Sequence, residues 1–400
     1  MRVDFNVPQD KEGNITNTQR IVGAMPSIKV ALDGGAKAVI LMSHLGRPDG
    51  RPNPKMSLAP VATKLGELMA RPVTFLSSCV GPEVEAACAD PAPGSIILLE
   101  NLRWFVAEEG KGVAEDGSKI SASAEETESF RASLAKLGDV YVNDAFGTAH
   151  RAHSSMVAMK GLMPCVSGLL VAKELQAFSE VLDATKVERP LTAIVGGSKI
   201  SDKILVIENL LDQANKLILC GGMAYTFLKV GFGMEIGKSL FDKKGAELVP
   251  KLMEKAKAKN VEIVLPKDWL CGQEFKNDQE TKTVTQEEGI PEGWEGMDCG
   301  PASMELFRET VLSSKTVVWN GPAGVFEFDT FSKGTQSLLN SVAELTQKGG
   351  KGIIGGGDSA TAAAKWNMED KVYFVSTGGG ASLELLEGKI LPGIAALDDA

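Results

Sequence analysis

Cysteine is scarce in this chain, histidine scarcer still, and long apolar runs are missing. Six cysteines stand among 400 residues, at positions 79, 88, 165, 220, 271 and 299, and no two form C-x-x-C. They read as buried free thiols in a reduced compartment rather than as a disulfide framework or a zinc site. No apolar run reaches the ~18 residues of a membrane-spanning helix. The start of the chain shows no charged-then-apolar signal pattern. Basic excess is also lacking. The net charge of -10 argues against nucleic acid or an anionic membrane surface as a partner. There is no G-x-x-x-x-G-K-S/T loop, no Ser-His-Asp or Cys-His set, and no H-R-D loop. Gly350, Gly352 and Gly355 match G-x-G-x-x-G. The match runs through the apolar pair Ile353-Ile354 instead of following a strand and opening a helix, so it is taken as chance.

What is present is an ordinary globular composition, 44% hydrophobic and 24% charged, long enough for two or three domains. Short apolar runs alternate with helical patterns, which predicts an α/β fold with mainly parallel sheets. In the first half, Val3, Phe5 and Val7 alternate with polar residues as a strand ended by Pro8. Ile21, Met25, Ile28 and Leu32 predict a helix from Arg20, closed by Gly34-Gly35. Residues 107–126 are acidic and glycine-containing, and are expected to be a solvated excursion. In such sheets ligands sit beyond the carboxyl ends of the strands. Those ends carry His44, Arg47, Arg103, His150 and Arg151. All three histidines, and nine of the ten arginines, lie before residue 190. Guanidinium forks suit phosphate and carboxylate, so this half predicts a small, highly anionic substrate. Arg2, Arg71, Arg131 and Arg189 are expected to be solvated or paired with surface acids.

The second half is organised around the stretch from Leu191 to Lys203. An apolar run ends in Gly196-Gly197, and Ser198 opens a helical pattern with Ile200, Ile204, Ile207 and Leu211 on its buried face. Lys199 and Lys203, four apart, are expected to be neighbours at that helix start. Glycine N–H groups, the helix dipole and two ammonium groups at one spot suit a phosphate chain; the alternative is a plain βα turn with two solvated lysines. Four further strands end in glycine, at Gly221-Gly222, Asn320-Gly321-Pro322, Gly355-Gly356-Gly357 and Gly378-Gly379-Gly380. Together they predict a nucleotide site. By position Asp358 reads as an N-cap; the other reading is the single carboxylate of a phosphate-bound Mg²⁺. With an anionic acceptor on one half and a nucleotide on the other, the expected chemistry is phosphoryl transfer, which needs positioning and charge neutralisation. A carboxylate nucleophile needs no base at pH 7.

At this point the sequence resembles the phosphoglycerate kinase family along essentially its whole length. The shared motifs are R-V-D-F-N-V-P (2–8), S-H-L-G-R-P (43–48), L-L-E-N-L-R (98–103), V-N-D-A-F-G-T-A-H-R-A-H-S-S (142–155), G-G-S-K-I-S-D-K (196–203), W-N-G-P-A-G-V-F-E (319–327), G-G-G-D-S-A (355–360) and S-T-G-G-G-A-S-L-E-L-L-E-G (376–388). The resemblance implies two Rossmann-like domains joined by a hinge helix, with the active site in the interdomain cleft. Residues 1–168 would hold 3-phosphoglycerate, 169–183 would be the connecting helix, 184–388 would bind the nucleotide, and 389–400 would return to the first domain. It implies ATP + 3-phosphoglycerate ⇌ ADP + 1,3-bisphosphoglycerate with Mg²⁺, in glycolysis and gluconeogenesis, by a cytoplasmic monomer. Carried over by motif, Asp4, Asn6, Arg20, His44, Arg47, Arg103 and Arg151 bind 3-phosphoglycerate, with Arg20 near the transferred group. Gly197, Ser198, Lys199, Lys203, Gly221, Gly222, Asn320, Pro322, Glu327, Gly356, Gly357, Asp358 and Ser359 line the nucleotide. Lys199 and Lys203 meet its phosphates, Asp358 is the Mg²⁺ ligand, and Gly378 and Gly379 face the transferred phosphoryl.

Two departures from the family pattern stand out. Met1 directly precedes Arg2, where relatives carry a short segment, and Ser198 stands where many have alanine, a change compatible with an N-cap. The first departure makes a catalytically impaired form that still binds ligands the alternative, with Asp4 and Asn6 on a frayed strand. A nicotinamide dehydrogenase would need a properly placed G-x-G-x-x-G, and a hinge-bending binding protein would not need Lys203 and Asp358.

Overall fold

The computed structural model describes residues 1–399. The chain forms two compact units, one from Met1–Glu174 together with the segment from Ile390 onward, the other from Leu175–Lys389. Of the segment 389–400, Ala400 lies outside the described residues.

The first unit contains β1 (Arg2–Val3), β2 (Ala38–Leu41), β3 (Val73–Phe75), β4 (Ser95–Leu98), β5 (Lys111–Val113), β6 (Lys119–Ser121), β7 (Tyr141–Asp144) and β8 (Cys165–Ser167). Two parallel sheets, β2-β4-β3 and β1-β7-β8, are joined by a parallel bridge between Arg2 and Met42. One side packs Val39, Leu41, Ile96 and Leu98 against Ile21, Ala24 and Ile28 of helix Gln19–Asp33. The other side packs Met42, Ile97 and Leu99 against Phe130 and Leu134. Burial on both sides is why Ile96, Ile97 and Leu98 of β4 read as an unbroken apolar run. The last residues tie back to this unit: Asn143 Nδ2 donates to Gly393 O at 3.0 Å, and Cys165 N donates to Asp398 Oδ2 at 2.8 Å.

Two expectations for this unit change. The first strand is only Arg2–Val3, but it is not frayed: Val3 and Phe5 are fully buried, and Arg2 and Val3 pair with Asn143 and Asp144. The ladder stops because Asp4 Oδ1 accepts the Asn6 amide at 3.1 Å, a local side-chain turn that competes with sheet pairing. The stretch 107–126 is not simply solvated. It forms helix Val106–Glu109 and the β5–β6 hairpin, and Glu108 is 1% exposed.

The second unit contains β9 (Leu191–Val195), β10 (Lys216–Leu219), β11 (Glu262–Val264), β12 (Asp268–Gly272), β13 (Lys282–Thr285), β14 (Glu295–Cys299), β15 (Thr316–Asn320), β16 (Lys351–Gly355) and β17 (Phe374–Val375). Its main sheet is all parallel in the order β11-β10-β9-β15-β16-β17. Counted from β9 as 1, that is 3-2-1-4-5-6, the order of a dinucleotide-binding sheet. The direction of progression reverses between β9 and β15, and ligands bind at that switch point. Gly352 and Gly355 lie on β16 and Gly350 just before it, so no helix opens from the match and its spacing is incidental. A small antiparallel sheet, β13-β12-β14, sits apart from the parallel one. All six cysteines are free and buried. Among the described residues no helix is long and apolar enough to cross a membrane.

Candidate functional site

In the first unit, the ends of β1, β2, β4 and β7 bring a set of cations to one place. Arg20, in the first turn of helix Gln19–Asp33, pairs with Asp4. Asn6 Oδ1 accepts Gly46 N at 2.8 Å, and Arg103 Nη1 donates to Gly46 O at 2.8 Å. The loop carrying His44 and Arg47 is thereby tied to both β1 and the turn after β4. A single oxygen, Glu109 Oε1, lies 3.4 Å from Arg103 Nε, 3.8 Å from Arg151 Nη1 and 3.5 Å from His153 Nε2. Burial first, and then Arg103, Arg2 and Arg151, push His153 down to about 3. It is therefore neutral, and the ion pairs seen at Glu109 Oε1 are those with Arg103 and Arg151. Arg151 Nε also donates to His150 Nε2 at 3.3 Å. Arg47 is exposed and makes no ion pair among the described residues.

Arg2 overturns its expected surface role. It is completely buried, and so is Glu108, whose carboxylate accepts Ser155 N at 2.9 Å and Ser155 Oγ at 2.6 Å. Sequence reasoning passed over both, together with Glu109. The available signal was R-V-D-F-N-V-P itself, which places Arg2 two residues before Asp4 on a core strand.

In the second unit the switch point is built by backbone contact. A Cβ on Gly196 would fall 2.1 Å from Pro322 O, and one on Gly321 would fall 2.2 Å from Gly196 O. Gly321 also has φ +101°. Only glycine allows the ends of β9 and β15 to approach so closely. Lys203 Nζ fills the notch, donating to Gly196 O at 2.6 Å, Asn320 Oδ1 at 2.6 Å and Asn320 O at 3.2 Å. Burial lowers Lys203 to about 8, while Cys220 and Asp358 pull it upward. Asn320 Nδ2 donates to Gly355 O at 3.2 Å, and Ser359 Oγ accepts Gly321 N at 2.7 Å. Gly221 (φ +66°) caps helix Gly222–Phe232, and Met223 N reaches Gly197 O at 3.0 Å. Ser382, fully buried, accepts Gly356 N at 3.2 Å and donates to Gly379 O at 2.8 Å. That links the turns after β16 and β17, where Gly378 and Gly379 lie.

The helix expected from Ser198 begins instead at Ile204, with Lys203 as its N-cap residue. Ser198 is not a cap, and Lys199 is exposed in the preceding loop rather than one helical turn from Lys203. Within that loop Ser201 N donates to Asp242 Oδ2 at 2.8 Å. Asp358 is not a cap either. Gly356 (φ +91°) caps helix Gly357–Lys365, and Asp358 stands exposed in its first turn. Gly197, Lys203, Gly221, Asn320, Pro322, Gly356 and Ser359 are thus in one cluster, with Gly222, Gly357 and Asp358 at its edge. Lys199 and Glu327 are exposed and make no hydrogen bond or ion pair to the cluster among the described residues.

Comparison with known proteins agrees with this arrangement. The family model for phosphoglycerate kinase matches residues 1–389. A probable phosphoglycerate kinase of Caenorhabditis elegans is 58% identical over 400 residues, covering 100% of this chain and 95% of that protein. A phosphoglycerate kinase of Gallus gallus is 59% identical over 398 residues, covering 99% and 94%. The solved structure of phosphoglycerate kinase from Coxiella burnetii superposes with a TM-score of 0.85 at 37% identity, covering 99% of this chain and 94% of that one. With the sequence matched end to end and the sheet order of a dinucleotide-binding domain in place, the chain belongs to the phosphoglycerate kinase family.

Proposed function

We propose that this chain transfers a phosphoryl group reversibly between ATP and the carboxylate of 3-phosphoglycerate, with Mg²⁺, giving ADP and 1,3-bisphosphoglycerate. Beyond family membership, one observation supports the acceptor half of this reading. Arg103 and Arg151 already converge on a carboxylate oxygen, Glu109 Oε1. A cradle arranged on one oxyanion suits the acceptor's phosphate. In this reading Arg47, Arg103 and Arg151 take that phosphate, Asp4 and Asn6 orient the hydroxyl and carboxylate end, and His44 donates a hydrogen bond. Arg20 stands near the reacting oxygen and neutralises charge as it spreads over the transferred group. The nucleotide phosphates lie at the switch point, where Lys203, Lys199 and the helix starts at Gly222 and Gly357 supply positive ends. Glu327 takes the ribose, and Gly378 and Gly379 offer N–H groups to the moving phosphoryl.

Asp358 fits a nucleotide-bound Mg²⁺: it is exposed, its carboxylate makes no hydrogen bond among the described residues, and it acts on Lys203 electrostatically. The metal, when bound, neutralises phosphate charge, and one protein carboxylate is a usual share of its ligands. Domain closure about helix Leu169–Leu182, a monomeric state and a cytosolic location belong to the same proposal.

Three measurements test it. Titration of the folded protein with 3-phosphoglycerate alone should show saturable binding that Arg103→Ala abolishes; unchanged binding contradicts the acceptor site. Asp358→Asn should move the Mg²⁺ dependence of turnover to higher concentration, and an unaltered Mg²⁺ titration removes it as a ligand. The third is a pH profile. Lys203 titrates near 8 in the free protein, and only its charged form attracts phosphate. The kcat/KM for the nucleotide should therefore fall above pH 8. Bound phosphates raise the lysine again, so kcat should fall less. A kcat/KM flat from pH 7 to beyond about 9 would contradict a phosphate contact by Lys203.

A further inference from the structure

We propose that Arg2 is a positioning residue that fixes His44 as the neutral Nε2–H tautomer, and that Ser155 and Glu108 hold Arg2 in place to do so. This rests on the reading above that His44 meets the anionic acceptor. Arg2 Nη2 lies 3.0 Å from His44 Nδ1. A guanidinium carries only donors, so the imidazole nitrogen facing it must accept. Nδ1 therefore holds a lone pair and the ring proton sits on Nε2. That tautomer offers an N–H to an oxyanion; the other would present a lone pair and repel it. His44 is buried, and the surrounding charges point the same way. Burial first, and then Arg2, Arg103, Arg20 and His153, hold its ring well below the usual histidine range. A second proton on Nδ1 would also meet the N–H of Arg2 head on.

Arg2 cannot turn away, because each arm of its fork is bound. Nη1 donates to Val3 O, and Nε donates to Ser155 Oγ at 3.0 Å. The Ser155 hydroxyl passes its own proton toward Glu108 Oε1 at 2.6 Å, and Ser155 N donates to Glu108 Oε2 at 2.9 Å. Tyr141 Oη donates to Ser155 O at 2.9 Å and pins that turn. Glu108 is 1% exposed and Ser155 and Arg2 are 0% exposed. Burial pushes the Glu108 carboxyl up and Arg2 pulls it back down, so the two groups are coupled in a place where an unpaired guanidinium would be costly. Glu108, Ser155, Arg2 and His44 thus form one buried chain from four separate parts of the sequence. Its orientation is dictated at each link by which atom can donate.

The test is a long-range ¹H–¹⁵N correlation spectrum of the full chain with labelled histidine, from pH 5.5 to 8. The three histidines of the chain are assigned by replacing each in turn with glutamine. For His44 the expected result is a pyridine-like Nδ1 and a pyrrole-like Nε2 that do not move across this range. A protonated Nδ1, or two averaged nitrogens, overturns the proposal. In Arg2→Met the two nitrogens should average, and the acceptor KM should rise roughly tenfold, the equivalent of one lost hydrogen bond, with kcat little changed. If Arg2→Met does not fold, Ser155→Ala removes one of the two anchors of Arg2 and is read in the same way. An unchanged tautomer in whichever variant is folded overturns the role of Arg2. Adding 3-phosphoglycerate to the wild type separates the two readings. If His44 keeps its tautomer but Nε2–H does not respond, it is the acceptor contact that fails.

Discussion

The Arg20→Ala variant is expected to fold like the wild type and to lose roughly 10³-fold or more of kcat, by analogy with arginines that neutralise phosphoryl transition states. Folding and catalysis depend on Arg20 in different ways. Arg20 is on the surface, with its side chain 41% exposed, and its one ion pair among the described residues is with Asp4. A pair of this kind contributes about 0–1 kcal/mol, so unfolding should hardly shift. Helix Gln19–Asp33 is anchored through Ile21, Ala24 and Ile28, none of which touches solvent appreciably. Catalysis is another matter. Asp4 aims the guanidinium from the end of β1, beside the loop that Asn6 and Arg103 tie down through Gly46. Charge that appears only in the transition state is met by a donor already in position. The check is steady-state kinetics in both substrates beside a denaturation curve. A loss confined to KM would remove Arg20 from the transition state.

Lys203→Ala should fail on both counts. Its ammonium donates to Gly196 O, Asn320 Oδ1 and Asn320 O, and so staples β9 to β15 across the switch point. Truncation strands buried acceptors, a loss of about 1–3 kcal/mol, but also removes an ammonium that burial disfavours, so the unfolding midpoint should fall more at about pH 10 than at about pH 7. The notch also loses the charge facing the phosphates, and turnover should drop by roughly 10²–10³-fold, the scale of a preorganised donor. In Lys203→Arg, with the charge kept, more activity than in Lys203→Ala is expected. Undiminished turnover in Lys203→Ala would confine the lysine to a structural role. Stability has its own pH signature. The folded protein lowers this lysine from 10.5 to about 8, so between those values the unfolded chain binds more protons. The lysine's contribution therefore makes folding more favourable as pH rises through that window.

The parallel strands were legible because both their faces are buried. Leu-Thr-Ala-Ile-Val at 191–195 is buried at every residue, and Gly196-Gly197 after it mark where the chain turns over the sheet edge. The arginine clustering before residue 190 likewise reported a real convergence of charge. What escaped was whatever depends on partners distant in sequence. The stretch from Ser198 to Lys203 has helical spacing, yet Lys203 is bound to Gly196 O and to Asn320 Oδ1, more than a hundred positions away, and the helix starts only after it. Glu108 sits in an acidic stretch that looks solvated, and only Arg2 and Ser155, from opposite ends of the first unit's sequence, turn it into a buried anion. Asp358 follows three glycines, and the positive φ of Gly356 made that residue the cap instead. Strands β12 to β14 carry Asp268, Lys282 and Glu295 at their ends and never formed an apolar run.

The most direct test of the whole account is turnover of ATP with 3-phosphoglycerate, followed by coupling the acyl phosphate product to its reduction. The account predicts turnover that requires both substrates and Mg²⁺ together. No product with all three present, or ATP consumption that proceeds equally well without 3-phosphoglycerate, would contradict it.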